Sequence, residues 1–240
     1  MTTQAKSRII LALDFPALAP AKDIARRVAP HLAAVKIGNQ FFTAEGPSAV
    51  AAMRDLGLRV FLDLKYHDIP NTVGQAVASA SRLGVWMVNV HASGGAEMMR
   101  AAAAVTGRPI VLGVTVLTSL DEAMLRATLG TARTLRDQVT HLAREAQAAG
   151  LDGVIASPQE IREIREACGT RFLVVTPGVR PADAAHGDQK RVLTPGEAVR
   201  AGADYVVIGR PILEAPDPVE AARKIAEECV SPDYSRKNRE

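Results

Sequence analysis

In FLDLKYHDIPNT, Phe61 to Thr72, a run that begins as an apolar strand carries Asp63, Lys65 and Asp68 within six residues, with His67 among them. Charged side chains are rarely fully buried unless paired. An ammonium flanked by carboxylates stays ionised. Held beside a reacting group, it stabilises developing negative charge and donates a proton. Side chains alternate along a strand, so Asp63 and Lys65 point one way while Leu62 and Leu64 point the other. Two earlier apolar runs follow the same rule. ILALD ends in Asp14, with Ala12 on its face and Leu11 and Leu13 opposite, and AVKIG sets Lys36 between Val35 and Ile37. One such charged pair on its own reads as a structural ion pair. Four charges, Asp14, Lys36, Asp63 and Lys65, at the C-terminal ends of three successive strands predict a site. Asp68 lies past the strand, ahead of Ile69-Pro70-Asn71, where a helix should start. By itself it reads as a turn or capping carboxylate.

The elements that must position these residues alternate along the chain. Predicted strands are Arg8–Asp14, Ala34–Gly38, Arg59–Lys65, Trp86–Ala92, Pro109–Leu117, Asp152–Ser157, Arg171–Gly178 and Asp204–Arg210. Between them run Ala-, Glu- and Arg-rich amphipathic stretches, several ending in glycine (RDLG, SRLG, QAAG, EACG, VRAG), as suits the left-handed residue that closes a helix. Eight strand-then-helix units in 240 residues predict an α/β fold, a single-domain (β/α)8 TIM barrel over residues 1–240. Short polar tails are expected at about 1–7 and 231–240. An open doubly wound sheet is the alternative, but no glycine-rich dinucleotide fingerprint follows the first strand. The longest irregular segment, Arg180 to Thr194, follows the seventh strand, where barrels place phosphate-binding or lid loops.

Composition narrows the function classes. Hydrophobic residues make up 48% of the chain and charged residues 23%, and the formal net charge is only +3 without a basic stripe. These values fit a globular protein and not a nucleic-acid binder. No apolar run approaches the roughly 20 residues that span a bilayer, and the N-terminus has no signal-peptide pattern. Cys168 and Cys229 lack metal-site spacing and read as free thiols of a reducing, cytoplasmic protein. His91 and Asn89 share an inward face. His91 reads as packing or hydrogen-bonding support, Asn89 as a brace for the site, and His67 as loop surface or interface. Arg180 and Gln189 on their own read as surface, and Thr118-Ser119 reads also as a helix N-cap.

Together with LALD, VKIG, VNVHASGG, VTVLTS, TPGVRP, GDQKR and VIGRPI, the stretch DLKYHDIPNT resembles the signature of the orotidine 5′-phosphate decarboxylase family. The matches run in order along nearly the whole chain. The D-x-K-x-x-D core is shared with related phosphosugar decarboxylases and synthases, whereas D-I-P-N-T and the pairing of GDQ with IGRPI are more specific. The resemblance implies a cofactor-free, metal-free homodimer converting orotidine 5′-phosphate to UMP and CO2. It implies Lys65 as proton donor to C6 of the pyrimidine and Asp63 beside the departing carboxylate. Asp68 would reach the partner subunit's site, and Lys36 would complete an alternating Lys-Asp-Lys-Asp chain. By the same resemblance, Asp14 and Lys36 hold ribose hydroxyls, with Thr72 helping across the interface. Thr118 would contact the pyrimidine, and Arg180, Gln189, the Gly209 amide and Arg210 would hold the phosphate. Neither nucleic acid nor membrane is an expected partner. Two alternatives stand beside this: a Mg²⁺-dependent phosphosugar decarboxylase or synthase, whose families carry an acid where this chain has Lys36, and a non-catalytic nucleotide-binding barrel.

Overall fold

In the computed structural model, which describes residues 7–180 and 193–230, the eight apolar runs close into a ring of parallel strands in chain order. The strands are β1 (Ile9–Leu13), β2 (Ala34–Gly38), β3 (Val60–Tyr66), β4 (Met87–His91), β5 (Ile110–Val114), β6 (Gly153–Ile155), β7 (Leu173–Pro177) and β8 (Tyr205–Ile208). The helices are α1 (Leu18–Val28), α2 (Asn39–Glu45), α3 (Pro47–Asp55), α4 (Pro70–Arg82), α5 (Ala96–Ala103), α6 (Glu122–Leu129), α7 (Leu135–Ala148), α8 (Ile161–Cys168), α9 (Pro195–Ala201), α10 (Arg210–Leu213) and α11 (Pro218–Glu228). Most of both predicted tails, and residues 181–192 of the predicted irregular segment, lie outside the described residues.

Strand alternation sorts the core into two shells. Leu11, Leu13, Val35, Ile37 and Leu62 face outward into the large core shared with the helices. Ile10, Ala12, Ala34, Phe61 and Met87 face inward, joined by Leu112, Ile155 and Val175 from the far wall. At the N-terminal end, Trp86 meets Tyr205 edge-on at 5.2 Å, and the Arg59 guanidinium lies 4.1 Å over the indole. The barrel is therefore a packed core with a plugged floor. Both cysteines are buried and free.

Six of the eight strands are shorter than predicted, trimmed at both ends, while β2 keeps its predicted bounds and β3 its predicted length. β5 stops at Val114 and not Leu117, and Arg210 begins α10 instead of ending β8. There the backbone leaves the ladder to build the mouth, which an apolar run alone does not reveal. The glycines that close the helical stretches all take positive φ, from 70° at Gly84 to 118° at Gly202. In β3 the pairing with β4 is irregular: Leu62 pairs with Val88, yet the next match is Tyr66 with Val90, four residues against two. The two extra residues keep the inward and outward faces in phase, because the side-chain period is two.

Gly153 in β6 has the least room of the strand glycines. A Cβ at Gly153 would lie 2.3 Å from the Leu173 carbonyl oxygen and 2.5 Å from the Leu173 Cβ. Relief requires β6 and β7 to part. Gly153→Ala should destabilise by about 1–3 kcal/mol, as overpacking does, read as a lower urea midpoint with an unchanged slope. An unchanged midpoint would show that the strands separate without cost.

Candidate active site

All eight strands point their C-terminal ends to one mouth, where a cavity of about 290 Å³ opens. Its floor is the top of the inner apolar shell, Ala12, Phe61, Val114, Ile155 and Val207. Asp14, Lys36, Asp63 and Lys65 line it, and so do Thr118, Arg180 and Gly209 from the loops after β5, β7 and β8, with Arg210 from the start of α10.

The charges are set by register. Ala12 pairs with Lys36, and Gly38 with Asp63, so three strands bring their side chains together. Lys36 Nζ lies 3.5 Å from Asp14 Oδ1 and 3.2 Å from Asp63 Oδ2, while Lys65 Nζ donates to Asp63 Oδ1 at 2.7 Å. Asn89 Nδ2 donates to the same Oδ1 at 2.7 Å. Burial pushes the Asp63 carboxyl up, but the Lys36 and Lys65 charges and the hydrogen bonds from Lys65 and Asn89 outweigh it. The net effect holds it below its ordinary value. Gly38 makes room for this arrangement, since a Cβ there would stand 3.0 Å from Lys36 Nζ.

Lys65 has φ 53°, the one non-glycine positive φ among the described residues. Such a conformation costs on the order of 1–3 kcal/mol and persists only where its surroundings impose it. It falls inside the irregular β3–β4 pairing, and its backbone N–H donates to Asn89 Oδ1 at 2.8 Å. His91, two residues further along β4, meets the His67 ring tilted by 38° at 5.3 Å without lining the cavity. Burial first, then the charges of His67 and Lys65, lower its pKa and favour the neutral ring.

Eight of the eleven predicted site residues thus meet in one cavity. Arg180, a surface residue on its own reading, is buried within it. Asp68 and Thr72 stay outside it, exposed at the start of α4. Asp68 Oδ1 accepts from the adjacent Ile69 N–H at 2.6 Å, and no side chain caps α4; the carboxylate orders the turn and does not cap the helix. The predicted cap at Thr118-Ser119 is corrected as well: Asp121 caps α6 by accepting from Met124 N–H. Gln189 lies outside the described residues. Gly38 is the residue the sequence did not single out, because its importance lies in how close the Lys36 ammonium folds back toward it along β2.

Residues 7–225 match the model of the orotidine 5′-phosphate decarboxylase / HUMPS family. The chain belongs to this family. A family relative from Moorella thermoacetica named orotidine 5′-phosphate decarboxylase is 54% identical over 233 residues, covering 93% of this chain and 92% of the relative. Another of that name, from Halorhodospira halophila, is 52% identical over 235 residues, covering 96% and 99%. The crystal structure of orotidine 5′-phosphate decarboxylase from Lactobacillus acidophilus superposes with a TM-score of 0.83 at 35% identity, covering 94% of this chain and 100% of that one. All three carry the decarboxylase half of the family's name.

A carboxyl with a lowered folded-state pKa contributes stability above its unfolded value, and that contribution is lost as pH falls through the folded value. Unfolding free energy should therefore drop as pH is lowered from about 5 past the ordinary aspartate value of about 3.9. In Asp63→Asn the drop over the same window should be shallower, measured by urea denaturation at a series of pH values. Parallel profiles would mean that Asp63 titrates alike in both states.

Proposed function

We propose that this protein is an orotidine 5′-phosphate decarboxylase, releasing CO2 to give UMP in pyrimidine biosynthesis. The observation that carries the reading is one buried carboxylate, Asp63, shared by two ammonium groups at the base of the cavity, in a chain about half identical to enzymes of that name. When the bond from C6 to the substrate carboxylate breaks, the electron pair stays on C6 in an sp² orbital that the ring cannot delocalise. The Lys65 ammonium stabilises that charge and donates its proton to C6, leaving the C6–H of UMP and a neutral amine that solvent reprotonates. Asp63 lies beside the departing carboxylate, and their repulsion is relieved as CO2 leaves.

Lys36 and Asp14 take the ribose hydroxyls and Thr118 the pyrimidine. Arg180 and Arg210, with the Gly209 amide and Gln189, take the phosphate, which guanidinium groups grip bidentately. No cofactor or metal is required in this scheme. The Lys36 ammonium sits between the Asp14 and Asp63 carboxylates, where the Mg²⁺-dependent alternative would need a third acid. The active form is a cytoplasmic homodimer of single-domain barrels. Asp68 precedes Ile69, an apolar side chain 66% exposed, and Thr72 follows in the first turn of α4; a second subunit covering that segment would receive Asp68 beside its own Lys65 and Thr72 beside its ribose subsite. No helix among the described residues is long and apolar enough to cross a membrane.

A decarboxylation assay following the orotidylate absorbance tests this, with and without excess EDTA. Wild type should turn over in both. Lys65→Ala should lose about 10³-fold or more in kcat while still binding UMP. Near-normal turnover in Lys65→Ala would remove its role, loss with EDTA would favour the metal-dependent alternative, and UMP binding without wild-type turnover would favour the binding module. Arg210→Ala should raise KM by roughly ten- to a hundredfold, the worth of a charged hydrogen bond. An unchanged KM would take Arg210 out of the phosphate subsite.

A further inference from the structure

Asn89 is fully buried on β4, between Val88 and Val90, which face the outer core. A buried primary amide has to satisfy donors and acceptors at both ends. Asn89 gives both ends to one short stretch of the neighbouring strand. Its Oδ1 accepts the Lys65 backbone N–H at 2.8 Å, and its Nδ2 donates to Asp63 Oδ1 at 2.7 Å. That same oxygen accepts from Lys65 Nζ at 2.7 Å. The bonds form a closed loop that starts at the Lys65 main chain, passes through Asn89 and Asp63, and returns to the Lys65 ammonium.

This loop sits where β3 is two residues longer than β4, so the ordinary ladder is interrupted between Leu62 and Tyr66. Lys65 is the residue that takes up the slack with its positive φ. Asn89 thus fixes both ends of the lysine: where its main chain turns, and where its ammonium comes to rest.

We propose that Asn89 is a positioning residue of this site, holding the left-handed turn at Lys65 and the orientation of the Asp63 carboxylate so that the Lys65 ammonium is aimed into the cavity. The inference rests on the decarboxylase reading for its consequence in rate, but its geometry stands apart from that reading. An apolar residue at this position would leave the Lys65 N–H without its acceptor and Asp63 without one donor.

The test compares wild type, Asn89→Ala, Asn89→Asp and Lys65→Ala in turnover, UMP affinity and amide hydrogen exchange. Misplacement of a reacting group by about 1 Å costs on the order of 10²-fold. Asn89→Ala should therefore lose about that factor in kcat, with KM and UMP affinity within about threefold of wild type. The Lys65 amide should exchange faster once its acceptor is gone. Asn89→Asp keeps the acceptor for Lys65 but faces Asp63 with a second carboxylate. The introduced carboxyl, buried beside a like charge, takes up a proton above the usual range and then donates as the amide did. The ratio of its kcat to that of wild type should rise as pH falls. Asp63, Lys65, Lys36 across Asp63, and the His91–His67 pair surround position 89 in both proteins, so the variant is compared with wild type at each pH. A kcat for Asn89→Ala within about threefold of wild type, a loss confined to KM, or a pH-independent ratio for Asn89→Asp would overturn the proposal. If Asn89→Ala does not fold, the isosteric Asn89→Asp still decides it. Absence of turnover in wild type would instead overturn the decarboxylase reading, and the exchange rate of the Lys65 amide would then judge the positioning by itself: unchanged exchange in Asn89→Ala overturns it.

Discussion

The Asp63 carboxylate is the charge around which the mouth of this barrel is organised. A carboxylate taken out of water carries a desolvation penalty of several kcal/mol in real proteins. It remains ionised only where cations and hydrogen-bond donors stand close enough to replace that water. Here the replacement is complete on both oxygens: Lys36 on one, Lys65 and Asn89 on the other. Each partner is in turn committed by the arrangement. Lys36 reaches on to Asp14, and Lys65 is held at main chain and side chain alike. Remove the carboxylate and two ammonium groups lose the contact that keeps them apart and aimed.

The parallel barrel makes such a cluster affordable. Because all strands run one way, inward side chains near their C-terminal ends converge on one small volume with apolar layers beneath. Alternation separates duties along each strand, with Leu62 in the outer core and Asp63 at the mouth. The irregular pairing of β3 with β4 departs from ideal geometry by an even number of residues. An odd slip would have turned the charges toward the helices.

What could be read from sequence follows from that alternation. The period of two correctly put Leu11, Leu13, Val35 and Ile37 outside and Asp14, Lys36, Asp63 and Lys65 at the mouth. The glycine-closed helices were equally legible, since few other residues tolerate that backbone. Cross-strand geometry was not legible. The positive φ of Lys65 carries no compositional signal, because nothing about a lysine announces it. The space Gly38 leaves for the Lys36 ammonium is a distance between atoms two residues apart on a curved strand, and the double role of Asn89 depends on what β3 does opposite it. The cap of α6 fell to Asp121 over Thr118-Ser119 because the chain leaves β5 three residues earlier than its apolar run suggests. Asp68 marks another boundary: within one chain it only orders a turn.

The stack of Trp86, Tyr205 and Arg59 at the far end governs traffic. Those rings and the guanidinium fill the base of the cylinder, and the described lining of the cavity lies toward the C-terminal ends of the strands. A substrate bound among those residues would therefore enter and leave on the side of the strands' C-terminal ends.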